Sequence, residues 1–142
     1  HRMMRALEVV EATGSSILDF RKGEKKQRPF RIIKIGLELS RQELHQRINT
    51  RVDKMIEAGL LDEVKNLLPF KDLNALQTVG YAELIKFVEN KIAMPEAIEE
   101  IKIHTRQYAK RQMTWFKKDK DFEWFSPAGV NLILSLIKKT LS

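Results

Sequence analysis

At 142 residues, 43% hydrophobic and 32% charged, the chain can bury one domain-sized core and has the composition of a soluble globular protein. It has no cysteine, which excludes disulfides, thiolate metal sites and a cysteine nucleophile, and no apolar run long enough to span a bilayer. The net charge of +7 is concentrated: residues 21–28 hold five Lys/Arg against one Glu, and residues 102–120 hold seven against one Asp, so the rest is acidic. Basicity confined to two short segments suits a phosphate-backbone partner better than a membrane, since neither segment has a wide apolar face.

His1 to Thr13 reads as a helix with Met3, Leu7 and Val10 at i, i+4, i+7. Arg2 and Arg5 lie one turn apart and can jointly reach a phosphate. Gly14 suits a helix C-terminus, and Ser15 or Ser16 can cap a short helix from Ile17 to Phe20. Residues 21–28 form a cationic loop ending at Pro29, where the composition shifts and a subdomain boundary is expected. Phe30 to Leu39 predicts a strand apolar on one face and partly apolar on the other, as in a sheet covered on both sides. Ser40 and Glu43 then form a capping box for a helix with Leu44, Ile48, Val52, Met55 and Ile56 inward. Arg47, Arg51 and Lys54 share its polar face, either solvated and paired with acids or facing a phosphate.

Gly59 ends that helix, and Leu60 to Leu68 predicts another, stopped at Pro69. Lys71 to Leu76 is a connection, and Gln77-Thr78-Val79-Gly80-Tyr81 leads into a helix with Leu84, Ile85 and Val88 inward. Gly80 is badly placed for a helix interior; it marks either a backbone needing unusual φ/ψ or close approach to a ligand, or a plain entry turn. Pro95 is expected at N1 of a long helix through Lys118. On that helix Arg106, Lys110, Thr114 and Lys117 fall on one face, with Ile98, Ile101, Thr105, Tyr108, Gln112 and Trp115 towards another that holds it to the core. A strand at Phe122–Phe125 and a helix from about Gly129 to Leu141, packing through Val130, Ile133, Leu134 and Ile137, end the chain.

No phosphate loop, dinucleotide fingerprint or HExxH motif is present. His1, His45 and His104 are scattered, and neighbouring carboxylates such as Glu99 and Glu100 point apart on a helix. The residues thus provide phosphate-binding and nucleic-acid-binding parts without a complete catalytic set.

Several stretches, in order, resemble the tRNA dimethylallyltransferases (tRNA isopentenyl-transferases). They are His1-Arg2-Met3-Met4-Arg5-Ala6-Leu7-Glu8-Val9, Arg47-Ile48-Asn49-Thr50-Arg51-Val52, and Ala58-Gly59-Leu60 with Glu63-Val64. Leu76-Gln77-Thr78-Val79-Gly80-Tyr81 with Glu83, and residues 105–116, are the most specific. The resemblance implies an α/β, mostly helical fold: residues 1–28 end an inserted helical tRNA-binding subdomain, and residues 29–142 form the C-terminal part of a P-loop-type parallel-sheet core. It implies transfer of a dimethylallyl group from dimethylallyl diphosphate to N6 of adenosine 37, with Mg²⁺; a cytoplasmic location, from the lack of a signal peptide or membrane span, and a monomeric state are expected beside it.

The phosphate loop and the catalytic aspartate of the family are absent, so the chain looks like a fragment that holds no catalytic residue, no metal ligand and no activity alone. By resemblance, Arg51 and Arg47 hold the diphosphate. His1, Arg2, Met3, Met4 and Arg5, then Leu76, Gln77, Thr78, Val79, Gly80 and Tyr81, then Lys110, Arg111, Gln112, Met113, Thr114, Trp115, Phe116 and Lys117, contact the tRNA anticodon stem-loop. Trp115 and Phe116 can stack bases, though one of them is expected in the core. Lys117, often arginine in the family, keeps the charge without the paired geometry. The alternatives are a non-catalytic RNA-binding module and a helical scaffold docking an acidic protein. In every RNA-binding version, Arg51, Gly80 and Lys110 are expected to converge on one anionic ligand.

Overall fold

The computed structural model describes the backbone of residues 2–21 and 29–141 and divides into two compact units, 1–32 and 33–142. The cationic loop of residues 22–28, and His1, lie outside the described residues.

The first unit pairs α1 (Arg2–Thr13) with α2 (Ile17–Arg21). Gly14 takes φ +69° and donates its amide to the Val10 carbonyl, closing α1 as expected of a left-handed C-terminal residue. Ser16 Oγ accepts from the Leu18 amide at the start of α2. The expected apolar stripe stays open, since Met3, Leu7 and Val10 are all exposed within this unit. A pair of helices this short presents too little facing surface to enclose it.

The second unit is built around four helices. Ser40 Oγ accepts the Glu43 amide at 3.2 Å and starts α3 (Arg41–Glu57). Only that half of the capping box forms, because the Glu43 carboxylate turns to Arg47 instead. Gly59, at φ +97°, lets the chain reverse into α4 (Leu60–Leu67). The α-helix stops one residue earlier than expected, and Pro69 sits inside a 3₁₀ turn, Leu68–Phe70. A second 3₁₀ turn, Asn74–Leu76, precedes α5 (Tyr81–Val88). The long helix α6 (Met94–Phe116) has Ala93 as N-cap, so Pro95 is its second residue rather than its first. Either position tolerates a missing N–H.

Val52, Leu60, Val64, Leu84, Ala97 and Ile101 form the buried centre, one or two from each helix, with Met55, Ile56, Ile85 and Ile98 packed around them. The inward faces expected of α3 and α5 are therefore correct. That of α6 is correct only in its first half: Ile101 is buried and Ile98 and Thr105 are half-buried, but Tyr108, Gln112 and Trp115 are exposed. The helix runs on past the core formed by α3, α4 and α5. Periodicity selects a face of a helix, and burial needs a partner opposite it.

Beyond that point α6 lies over a small parallel sheet. Strand β1 (Lys34–Leu37) pairs with β2 (Phe122–Phe125), Lys34 opposite Phe122 and Gly36 opposite Trp124. The expected strand of residues 30–39 is thus shortened to four residues, with one more hydrogen bond from the Glu38 amide to the Phe125 carbonyl. A strand extends only where a partner accepts its amides. Phe30 and Ile32 are exposed instead. Lys34 Nζ donates to Asp119 (2.6 Å) and Asp121 (3.1 Å) across 85 and 87 residues of chain. These two hydrogen bonds raise the lysine pKa. Phe116 meets Phe122 edge-on at 5.8 Å, so it anchors the end of α6 to the sheet. The last helix, α7 (Val130–Leu141), half-buries Ile133, Leu136 and Ile137, whereas Val130 and Leu134, expected inward, are exposed. Among the described residues, no helix is long and apolar enough to cross a membrane.

Candidate nucleic-acid interface

The cations of the second unit sort into two groups. One group is paired with acids: Lys34 with Asp119 and Asp121, Arg47 with Glu43 (2.8 Å), Lys65 with Asp62, Lys71 and Lys91 with Glu89, Lys86 with Glu100, Lys102 with Asp53, and Lys117 with Glu38 (2.6 Å). Arg41, Arg51, Lys54, Lys110 and Lys118 have no acidic partner among the described residues. A surface cation left without an acid keeps its full charge available to an external anion.

Three of these are on α3. Arg51 and Lys54 line an open hollow of about 530 Å³ together with Arg47, Thr50 and Met55. Arg47 and Arg51 fall one turn apart, as expected of a pair gripping a diphosphate, but Arg47 is already engaged by Glu43. Lys54, on the polar face it shares with Arg47 and Arg51, completes the hollow one turn beyond Arg51.

The other concentration is on α6. Arg106, Lys110, Thr114 and Lys117, the predicted polar face, line one groove of about 570 Å³ between α6 and the start of α3. Its far wall carries Arg41 and His45, which local pattern did not mark as site residues. Arg106 donates to Asn49 Oδ1 of α3 at 2.8 Å, bracing the two helices. Around the helix, Lys110, Arg111, Trp115 and Lys118 line a shallower hollow of about 480 Å³. Trp115 is 67% exposed, and Arg111 lies 6.0 Å from the Tyr108 ring. Of the two aromatics, Phe116 is the packing residue and Trp115 the open one. Gln112 is exposed, and Met113 turns inward to border the sheet face with Gly36, Phe122 and Trp124.

The turn before α5 is built differently. Gly80 has φ +103° and is buried, 3.9 Å from Leu60 at the position a Cβ would take. Its amide donates to Glu83 Oε2 at 2.7 Å. Here the glycine serves backbone geometry. The groups the turn presents outward are Gln77, Thr78 and Val79, while Leu76 is buried. Thr78 Oγ1 donates to the Ala75 carbonyl, and Gln77 Nε2 to the Lys71 carbonyl, so the turn is internally tied. The Tyr81 hydroxyl donates to Glu63, and that bond raises the phenol pKa.

Arg51, Gly80 and Lys110 do not share a cavity. Arg51 opens onto the outer face of α3, Lys110 onto the α3–α6 groove, and Gly80 is buried near Leu60. In the first unit, Arg2 and Arg5 line a hollow between α1 and α2, with Arg5 bonded to Glu8 at 3.0 Å and Met3 and Met4 exposed.

With this geometry in place, comparison with known proteins gives one answer. The family model for IPP transferase matches residues 1–119. The chain is 49% identical over 137 residues to tRNA dimethylallyltransferase 1 of Bacteroides thetaiotaomicron, covering 96% of this chain and 44% of that protein. It is 43% identical over 140 residues to tRNA dimethylallyltransferase of Cytophaga hutchinsonii, covering 99% and 46%. Among solved structures, tRNA delta(2)-isopentenylpyrophosphate transferase of Staphylococcus epidermidis superposes with a TM-score of 0.71 at 35% identity, over 99% of this chain and 48% of that one. The full-length tRNA isopentenylpyrophosphate transferase of Bacillus halodurans gives 0.66 at 38% identity, over 88% and 38%. The chain spans less than half the length of these relatives. Order of motifs, fold and sequence identity agree, and the chain belongs to the IPP transferase family.

Proposed function

We propose that this chain carries the RNA-facing and leaving-group side of a tRNA dimethylallyltransferase. In that reaction the N6 amine of adenosine 37, next to the anticodon, attacks the allylic carbon of dimethylallyl diphosphate. A C–N bond forms, the C–O bond to the diphosphate breaks, pyrophosphate leaves, and the amine loses a proton. The chemistry needs a base, neutralisation of the leaving group, and an adenine removed from its stack.

The residues of this chain fit the last two requirements. Arg51, with no acid beside it, has the charge and the paired N–H geometry to hold a diphosphate. Lys54 adds a second charge in the same hollow, and Arg47 joins only by leaving Glu43. The stretch from Lys110 to Lys117 supplies the tRNA contact, with Trp115 as an open stacking face. The exposed part of the turn before α5 and the Arg2–Arg5 end of α1 supply two more contacts. Among the described residues no three His, Asp or Glu side chains cluster as metal ligands. The base is not among the assigned residues either.

The observation that carries this reading is the pairing of an exposed indole with cations that have no acid partner on the outer half of α6, in a chain of this family. A titration of the chain with a tRNA anticodon stem-loop tests it. Binding should weaken with salt at a log–log slope of about −0.7 per single-stranded phosphate contact, summed over several contacts. A flat salt response overturns the reading. In the full-length enzyme, Arg51→Ala should lower kcat or raise KM for the diphosphate by at least about tenfold, as expected for losing a charge-assisted pair. Unchanged kinetics would remove Arg51 from the site.

A further inference from the structure

The α3–α6 groove has a wall that the functional reading does not use. We propose that it carries the phosphodiester backbone of single-stranded RNA leading to or from a base stacked on Trp115, with Arg41 and His45 as the contacts opposite Lys110. This rests on the reading of the chain as RNA-binding and adds a second helix to the interface.

Four observations support it. First, the groove and the hollow beside Trp115 share Gln107, Lys110 and Thr114, so the two form one path across α6. Second, Glu38 is the single acid in the groove lining, and Lys117 binds it at 2.6 Å. The charges of Arg41, Arg106 and Lys110 are left without a compensating acid. Third, the Arg106–Asn49 hydrogen bond braces the two helices that wall the groove and holds the Arg106 guanidinium at its edge. Fourth, the remaining lining includes Leu39, Leu44, Ile103 and Met113. A cationic track with an apolar floor, ending at an exposed aromatic, is how proteins hold single strands: phosphates follow the charges and a base takes the ring. A small inorganic anion would leave both the floor and the indole unused.

The test is fluorescence anisotropy of the 142-residue chain with a labelled RNA anticodon stem-loop over a series of KCl concentrations. The variants are Arg41→Gln, the double variant Arg41→Gln with His45→Gln, Lys110→Gln and Trp115→Ala, with Lys65→Ala on α4 as control. Arg41 is exposed in the first turn of α3, and Gln at that place leaves the Ser40 cap intact. An unchanged melting temperature confirms the fold of each variant, and Arg41→Lys serves as the charge-conserving variant that should restore binding. The expected result for Arg41→Gln is a several-fold loss of affinity, with the salt slope smaller by about 0.7 for one lost contact. If Lys110→Gln and Trp115→Ala weaken binding while both Arg41 variants match the parent, the groove inference is wrong and the functional reading stands. If the parent chain does not bind RNA, both fall. Inorganic pyrophosphate that displaces RNA from the parent chain but not from Arg41→Gln would assign the groove to a small diphosphate and overturn the RNA assignment.

Discussion

His104 Nδ1, on α6, lies 2.5 Å from Oε1 of Glu83, and the other oxygen of that carboxylate accepts the Gly80 amide at 2.7 Å. Glu83 is 3% exposed and is the buried charged residue of the described structure. One side chain therefore ties the turn before α5 to the middle of the helix that carries the candidate interface. Glu83→Ala leaves a buried amide and an imidazole without their acceptor and should cost about 1–3 kcal/mol in urea denaturation. Glu83→Gln should lose less, because its amide can accept from Gly80 while the imidazole changes tautomer. Equal losses for the two variants would mean that the charge, rather than the bridging geometry, holds the turn.

Gly80 and Gly36 are needed for opposite reasons, and the same substitution separates them. At Gly80 a Cβ has room, 3.9 Å from Leu60, but φ is +103°. Gly80→Ala should cost about 1–2 kcal/mol from backbone strain alone, and trimming Leu60 should not recover it.

At Gly36 no positive φ is involved, but a Cβ would stand 2.6 Å from the Trp124 ring. Gly36→Ala must push the indole away or part the strands, at about 1–3 kcal/mol. Combined with Trp124→Leu, the loss should be less than the sum of the single losses, as a double-mutant cycle in thermal melts will read. Strict additivity would place the strain elsewhere.

Glu89 sits between Lys71 and Lys91, whose hydrogen bonds lower its pKa from 4.5 to about 2. A depressed folded-state pKa stabilises the fold above the unfolded value and loses that contribution as pH falls through the folded one. Between pH 4.5 and 2 the parent chain should therefore lose stability with a steeper slope than Glu89→Gln. The difference should be small, because the pair is at the surface. Parallel acid-unfolding curves would show that the pair contributes nothing.

The local signals read well in the sequence where the cause was local. Ser40 as cap, Gly14 and Gly59 as reversals, the inward stripe of α3 and the bounds of β2 all follow from near neighbours. The misses share a different origin. The extent of β1 is set by a partner more than 80 residues away, and the exposure of Tyr108 and Trp115 by the core ending beneath α6. Arg41 and His45 look like solvated polar side chains at a helix entry until α6 is laid across them. A sign was available: two basic side chains at i, i+4 on α3 match the cationic i, i+4 spacing on α6. It becomes meaningful only once the helices are known to be neighbours.

The Lys34 tie to Asp119 and Asp121 has a kinetic consequence. Every helix of the buried centre lies between the two strands in the chain, so the ladder closes a loop that contains the core. Long-range parallel pairing gains nothing until the intervening chain is compact. The helices should therefore assemble first and the sheet zip up late. In stopped-flow refolding, Lys34→Met should speed unfolding and leave the folding rate nearly unchanged, the signature of a contact formed after the barrier.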